Sequence, residues 1–251
     1  MAIRTAHALI LRRWNFRETS VILSVFTDSA GKFHGLIKGF YDRPPRYGPA
    51  MVGSLNTVVF YESARQQLLL ISQCDLKDPL LTAGGNARVL HPQSRILELL
   101  EQGTVERDPH PELFSLALQA LRTLAAANDP DGVVRLFEVK FLKLLGLSPS
   151  VEDCVVCGVV ADAHSALSLK HGGLLCPRCA GKDHAATPLL PGTLATLQHL
   201  LTRPWETTLR LQWTRPVRAE LDRLLDRFIA FHIEARFKTR PPVAELAYAH
   251  T

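Results

Sequence analysis

The sequence predicts an α+β protein, in which a small five-stranded N-terminal barrel is followed by an α-helical domain carrying an inserted cysteine module. Three observations predict it. Apolar residues alternate with polar ones through the first eighty positions, as strands require. From about residue 80 the apolar period lengthens to that of helices. Two CxxC pairs then interrupt the helical pattern between residues 151 and 183. The expected division is residues 1–79, residues 80–251, and 151–183 as an insert within the second part.

The strands are read in order. Ala6–Arg13 is the first, and Thr19–Phe26, rich in β-branched residues, is the second. The turn cluster Thr27-Asp28-Ser29-Ala30-Gly31 leads into Lys32–Lys38, where Phe33, Gly35 and Ile37 alternate with Lys32, His34 and Lys38. A proline-containing loop spans 39–53, and Leu55–Tyr61 and Leu68–Asp75 complete the set. An OB-fold is the commonest nucleic-acid-binding barrel of this size, and an SH3-like barrel has the same periodicity. Phe16, Phe26 and Phe33 read as barrel core by ordinary burial habits.

Helical spacing follows at Ser94–Leu100, Glu112–Ala127 and Gly132–Leu145, with Pro109 and Pro111 preceding the second and Gly146 ending the third. It resumes at Gly192–Thr202 and Pro216–Phe237, where Pro216 suits a first helical turn.

The cysteines carry the sharpest chemistry. Cys154-x-x-Cys157 and Cys176-x-x-Cys179 are separated by eighteen residues, within the C-x₂-C-x₁₅₋₂₀-C-x₂-C spacing of a zinc site. Each CxxC turn offers two thiolates on one side of a tight knuckle, and two knuckles fill a tetrahedron. The expected cofactor is one structural zinc ion. Four protein ligands leave no position for a reactive water, which argues against a zinc hydrolase. His164, His171, His184 and Asp153 are read as neighbours, and Cys74 as a buried thiol. No export signal is read at Met1–Arg4, so a reducing cytoplasm is the expected location.

Apolar residues form 47% of the chain, enough for a core, yet no apolar run reaches the ~18–20 residues of a membrane helix. The net charge of +5 is unevenly placed: residues 1–50 hold eight basic and three acidic residues, and residues 203–240 hold nine and five. Basic ends suggest an anionic partner. The candidate contacts are Arg12, Arg13, Arg17, Lys32, Lys38, Arg43 and Arg46 for phosphates, with Tyr41 and Tyr47 as loop stacking residues. No P-loop, GxGxxG, HExxH or GxSxG is present, so no enzyme is expected.

Several stretches together resemble the RecO family of bacterial recombination mediators, which act in DNA repair. Glu18–Thr27 followed by Gly31-Lys-Phe-His-Gly-Leu-Ile-Lys-Gly39 looks like the family's barrel strands and Lys-Gly signature. Phe137–Pro149 is similar to its helix before the zinc segment. Cys154-Val-Val-Cys-Gly158 and Gly172-Gly-Leu-Leu-Cys-Pro-Arg-Cys179 are similar to its knuckles, and Arg236-Phe-Lys-Thr-Arg240 to its basic C-terminal signature. The loop Phe40–Gly48 departs from the family pattern, with a proline pair and no serine, and Thr239 stands where serine is commoner. The resemblance implies an OB-fold that binds single- and double-stranded DNA, strand annealing, and help in loading RecA onto strands coated by single-strand-binding protein. It also implies partnership with RecR and with that protein's C-terminal tail. A zinc-braced protein-interaction scaffold and an RNA-binding OB-fold protein are the alternatives from other classes.

Overall fold

Alternation in the first eighty residues places every second side chain on one sheet face, and closing the sheet gives that face an interior. The computed structural model describes residues 2–41, 49–63, 66–80, 87–162 and 164–233. Five strands, β1 (Ala2–Phe16), β2 (Ser20–Thr27), β3 (Gly31–Ile37), β4 (Leu55–Glu62) and β5 (Leu68–Asp78), form a closed barrel in the order β1-β2-β3-β5-β4. Neighbours are antiparallel except β3 and β5, which pair in parallel from His34↔Leu68 to Leu36↔Leu70. The fourth strand lies between the fifth and the first, the Greek-key arrangement of an OB-fold.

Ala8 and Ile10 of β1, Leu23 of β2, Phe33 of β3 and Phe60 of β4 point inward and are nearly inaccessible. The Phe33 and Phe60 ring centroids lie 4.6 Å apart. Of the three phenylalanines expected in this core, only Phe33 belongs to it. Phe26 pairs with Lys32, out of phase with Val25, and its ring packs on Phe114 outside the barrel at 6.0 Å. Phe16 is half-buried beneath the Arg17 guanidinium at 5.3 Å.

Phe26 is buried from outside because two helices lie against β1 and β2: α1 (Ala87–Gly103) and α2 (Pro111–Ala126). The first begins seven residues before the periodic stretch at Ser94 and runs through Pro92. Leu113, Ala117, Leu121 and Leu124 form the buried stripe of α2 at the expected helical spacing. Barrel, α1 and α2 make one compact unit, residues 1–130.

The chain after α1 returns across β3. Arg107 N–H donates to Lys32 O at 2.8 Å, and its guanidinium donates to Ser63 O at 2.8 Å and to Gln66 O. This return passes so close to Gly31 that a Cβ there would stand 2.5 Å from the Asp108 carbonyl oxygen. Gly31 also has φ +68°, the left-handed region. Backbone cannot swing aside as a side chain can. Gly31→Ala is therefore expected to destabilise the protein by about 2–4 kcal/mol, read as a lowered denaturation midpoint at unchanged m.

The second unit, residues 131–251, contains α3 (Pro130–Leu144, its first residue apart), a small sheet of β6 (Ala166–Ser168), β7 (Gly173–Leu175) and β8 (Thr187–Pro188), then α4 (Pro191–Thr202), α5 (Trp205–Thr208) and α6 (Arg215–His232). The sheet order is β7-β6-β8. Gly146, at φ +70°, ends α3, with its N–H on Lys143 O and the Leu147 N–H on Leu142 O. Inside this unit Arg135 of α3 is 4% exposed. It donates to Glu138 at 2.6 Å and, from α6, to Asp222 and Asp226 at 2.8 Å each. Burial alone would lower its pKa, but Glu138, Asp226 and Asp222 outweigh that and raise it. No helix among the described residues is long and apolar enough to cross a membrane.

Candidate metal centre and nucleic-acid face

The two CxxC segments fold as knuckles because backbone groups near the sulfurs are paired locally. Gly158 N–H donates to Cys154 O at 2.8 Å, with Gly158 at φ +71°, and Cys154 N–H donates to Val159 O at 2.8 Å. In the second knuckle Cys179 and Ala180 N–H both donate to Cys176 O, at 2.8 and 2.9 Å. The first knuckle is stitched to the β6–β7 hairpin by Val155 N–H on Leu174 O and by Ser150 paired with Gly172 and Leu174.

All four Sγ atoms consequently lie within 4.8 Å of one another, with Cys157 and Cys176 at 3.7 Å. A tetrahedral metal–sulfur distance of ~2.3 Å demands sulfur separations near ~3.8 Å, so the donor set fits one tetrahedral ion. The electrostatics agree. Burial and the neighbouring sulfurs push Cys179 up to about 12, whereas backbone N–H groups of Cys176, Val156 and Cys157 overcome burial at Cys154 and bring it down to about 6. A buried thiol that resists ionising beside a thiolate is what a bound cation would relieve. The cluster's buried residues are Cys154, Leu175, Cys176 and Cys179, so the ligands themselves form most of its core.

Of the neighbours, His171 has another partner. His171 Nδ1 lies 3.0 Å from Ser168 Oγ, whose hydroxyl donates to Asp183 at 2.5 Å. Cys74 is fully buried in the barrel, 3.7 Å from Asn56 Oδ1, and burial followed by Asp75 pushes its thiol up to about 12.

The cationic candidates separate into distinct groups. Arg12 is half-exposed and Arg17 exposed, and neither forms an ion pair or hydrogen bond among the described residues. Lys38 is exposed just after β3. Arg13 is engaged with its own barrel: it donates to Pro49 O at 3.0 Å and to Tyr41 Oη at 2.9 Å, and lies 4.9 Å over the Phe40 ring. Tyr41, 46% exposed, donates in turn to Asn15 Oδ1 at 2.8 Å, so its ring is held in place. Lys32 is not offered to solvent. It is 7% exposed, and its ammonium donates to Glu101 O and, at 2.7 Å, to Thr104 O at the end of α1. Burial lowers its pKa, against Glu101 and Glu106, which raise it. Lys32 therefore caps a helix C-terminus. Arg43, Arg46 and Tyr47 lie outside the described residues.

Trp14 was absent from the sequence-derived contacts, yet it stands 41% exposed on the outer face of β1. A bulge between Ile10 and Arg12 sets its side of the strand. Without it, Arg12, Trp14 and Phe16 would share the inward side with Ile10. With it, Arg13 and Asn15 pair with the inward Leu23 and Val21, and the other three turn out.

Barrel topology, an outward basic and aromatic edge, and a second, largely helical unit with four clustered cysteines define an OB-fold protein with a helical unit that could hold a metal ion. Comparison with known proteins gives the family. Residues 1–80 match the family described as Recombination protein O N terminal, and residues 94–241 match Recombination protein O C terminal. The DNA repair protein RecO of Desulforamulus reducens is 29% identical over 246 residues, 95% of this chain and 93% of that protein. Those of Bacillus pumilus and Moorella thermoacetica are 26% and 25% identical, over 92% and 96% of this chain and 91% and 90% of theirs. The chain belongs to the RecO family of DNA repair proteins.

Proposed function

We propose that the protein is a non-enzymatic recombination mediator whose barrel, residues 1–79, binds single- and double-stranded DNA through its backbone. It would anneal complementary strands and, with RecR, assist RecA loading on strands coated by single-strand-binding protein, whose C-terminal tail it would contact. The observation that carries the DNA reading is the pair Arg12 and Arg17, on an outward barrel edge with no acidic partner among the described residues. An unpaired guanidinium is available to a phosphate without first breaking an ion pair. Family membership supports the mediator role, and the work would be done at the nucleoid in the cytoplasm. One zinc ion held by Cys154, Cys157, Cys176 and Cys179 would supply a fixed tetrahedral node in the helical unit, with no chemistry at DNA.

The test is the salt dependence of single-strand binding. Five to seven neutralised phosphates give a log–log slope of about −3.5 to −5. Arg12→Glu with Arg17→Glu is expected to weaken binding at least tenfold and to reduce the slope by about 1.4, two phosphates' worth. A slope near zero in the unaltered protein would overturn the DNA reading. Annealing assays with and without single-strand-binding protein then test the mediator role.

A further inference from the structure

The outer face of β1 carries Arg12, Trp14 and Phe16 at alternate positions, opposite Ser24, Ile22 and Ser20 of β2. The middle member is a large aromatic ring that the fold leaves 41% exposed. It is nonetheless oriented: the Trp14 and His34 ring centroids lie 5.8 Å apart at 47°, and His34 Nδ1 lies 3.1 Å from Glu106 Oε1. The next aromatic, Phe16, lies under the Arg17 guanidinium. The β3 side of this face is occupied by the return from α1, where Glu106 bridges to Lys32. Among the described residues, the Arg12–Arg17 strip is where the face stays open.

Spacing distinguishes the nucleic acid that fits. Alternate residues on a strand are ~6.7 Å apart. Successive bases in a B-form strand are ~3.4 Å apart. A base on Trp14 and the next on the Arg17 guanidinium that covers Phe16 must therefore be drawn apart to about twice their stacked separation, which a single strand permits and a paired duplex does not. Cations at both ends, Arg12 and Arg17, suit the intervening phosphates, and a ring already held by His34 costs little ordering on binding.

We propose that Arg12, Trp14, Phe16 and Arg17 form a stacking track for an unstacked DNA single strand, giving the barrel a preference for single-stranded over duplex DNA. This rests on the DNA reading above and specifies its form.

The experiment uses the full chain with a dT oligonucleotide and a duplex of equal length. Trp14→Ala is expected to lower single-strand affinity about ten- to a hundredfold, the loss of one base–aromatic stack, and to change duplex affinity by less than about twofold. Trp14→Phe keeps a stacking ring and should retain most of the affinity. Tryptophan emission should be quenched by the dT oligonucleotide in the unaltered protein and not in Trp14→Phe, which still contains Trp205 and Trp213. Unchanged single-strand binding by Trp14→Ala, or an equal loss on duplex, overturns the track while leaving DNA binding intact. Failure of the unaltered protein to bind either form overturns the DNA reading, and the track with it.

Discussion

Chelation of the metal should unfold the segment from Ser150 to Pro188 while the barrel keeps its protection in hydrogen exchange. The expected effect is large because the two knuckles have little besides the metal to hold them together. The buried cluster around the sulfurs is three cysteines and Leu175, flanked by Val156 and Ala186. The segment's strands are two or three residues long, too short to be stable alone. Binding free energy in a module of this kind is folding free energy, on the order of 10 kcal/mol for small zinc domains. Elemental analysis should find one zinc per chain, lost in Cys154→Ser or Cys176→Ser. Damage should spread next to α4 through Gln198, whose side-chain amide donates to Val151 O at 2.7 Å. Immediate, selective loss of DNA binding on chelation would show the metal to be more than a brace.

Arg135→Ala should be the most destabilising single change in the helical unit, by about 3–5 kcal/mol. Glu138 beside it is completely inaccessible, and removing Arg135 takes away the cation 2.6 Å from that buried carboxylate. The same change takes one partner from Asp222 and Asp226 of α6, which remain a quarter or so exposed and can turn to water, and Asp222 keeps Arg218 at 3.3 Å. A second variant separates charge from packing. Arg135→Met with Glu138→Leu removes the buried pair while filling its space and should recover most of the stability. Urea denaturation followed by far-ultraviolet circular dichroism measures both. A double variant as unstable as Arg135→Ala would assign the role to shape rather than to charge.

The barrel and the metal centre were legible for different reasons. A CxxC pair repeated at a fixed interval encodes its geometry locally, since each knuckle is closed by hydrogen bonds within about five residues, such as Gly158 to Cys154. The barrel strands were legible through alternation, but their ends were not. β1 runs from Ala2 to Phe16 rather than from Ala6 to Arg13. Its first residues pair with β4, some sixty positions away, from Ala2↔Glu62 onward. Long-range pairing of this kind leaves no trace in a local window.

Lys32 and Trp14 mark the same boundary in the nucleic-acid face. Counting charges placed Lys32 among the phosphate contacts, because a lysine at a polar strand position is ordinarily solvated. The end of α1, seventy residues later in the chain, supplies two carbonyls that its ammonium caps. Trp14 lies among the cations in sequence, but its side of β1 depends on a single bulged residue.

By itself, then, the sequence determined the α+β class, the five strands, the four thiolates and the basic N-terminal excess. Each of these depends on residues that are close in the chain or on composition alone. Only the tertiary structure decided the parallel β3–β5 closure, which separates an OB barrel from other small barrels, and which cations and rings stay open to a ligand. Accessibility belongs to a surface assembled from distant segments, so one bulge at Leu11 and one returning strand of chain at Glu106 were enough to turn Trp14 outward and to bury Lys32.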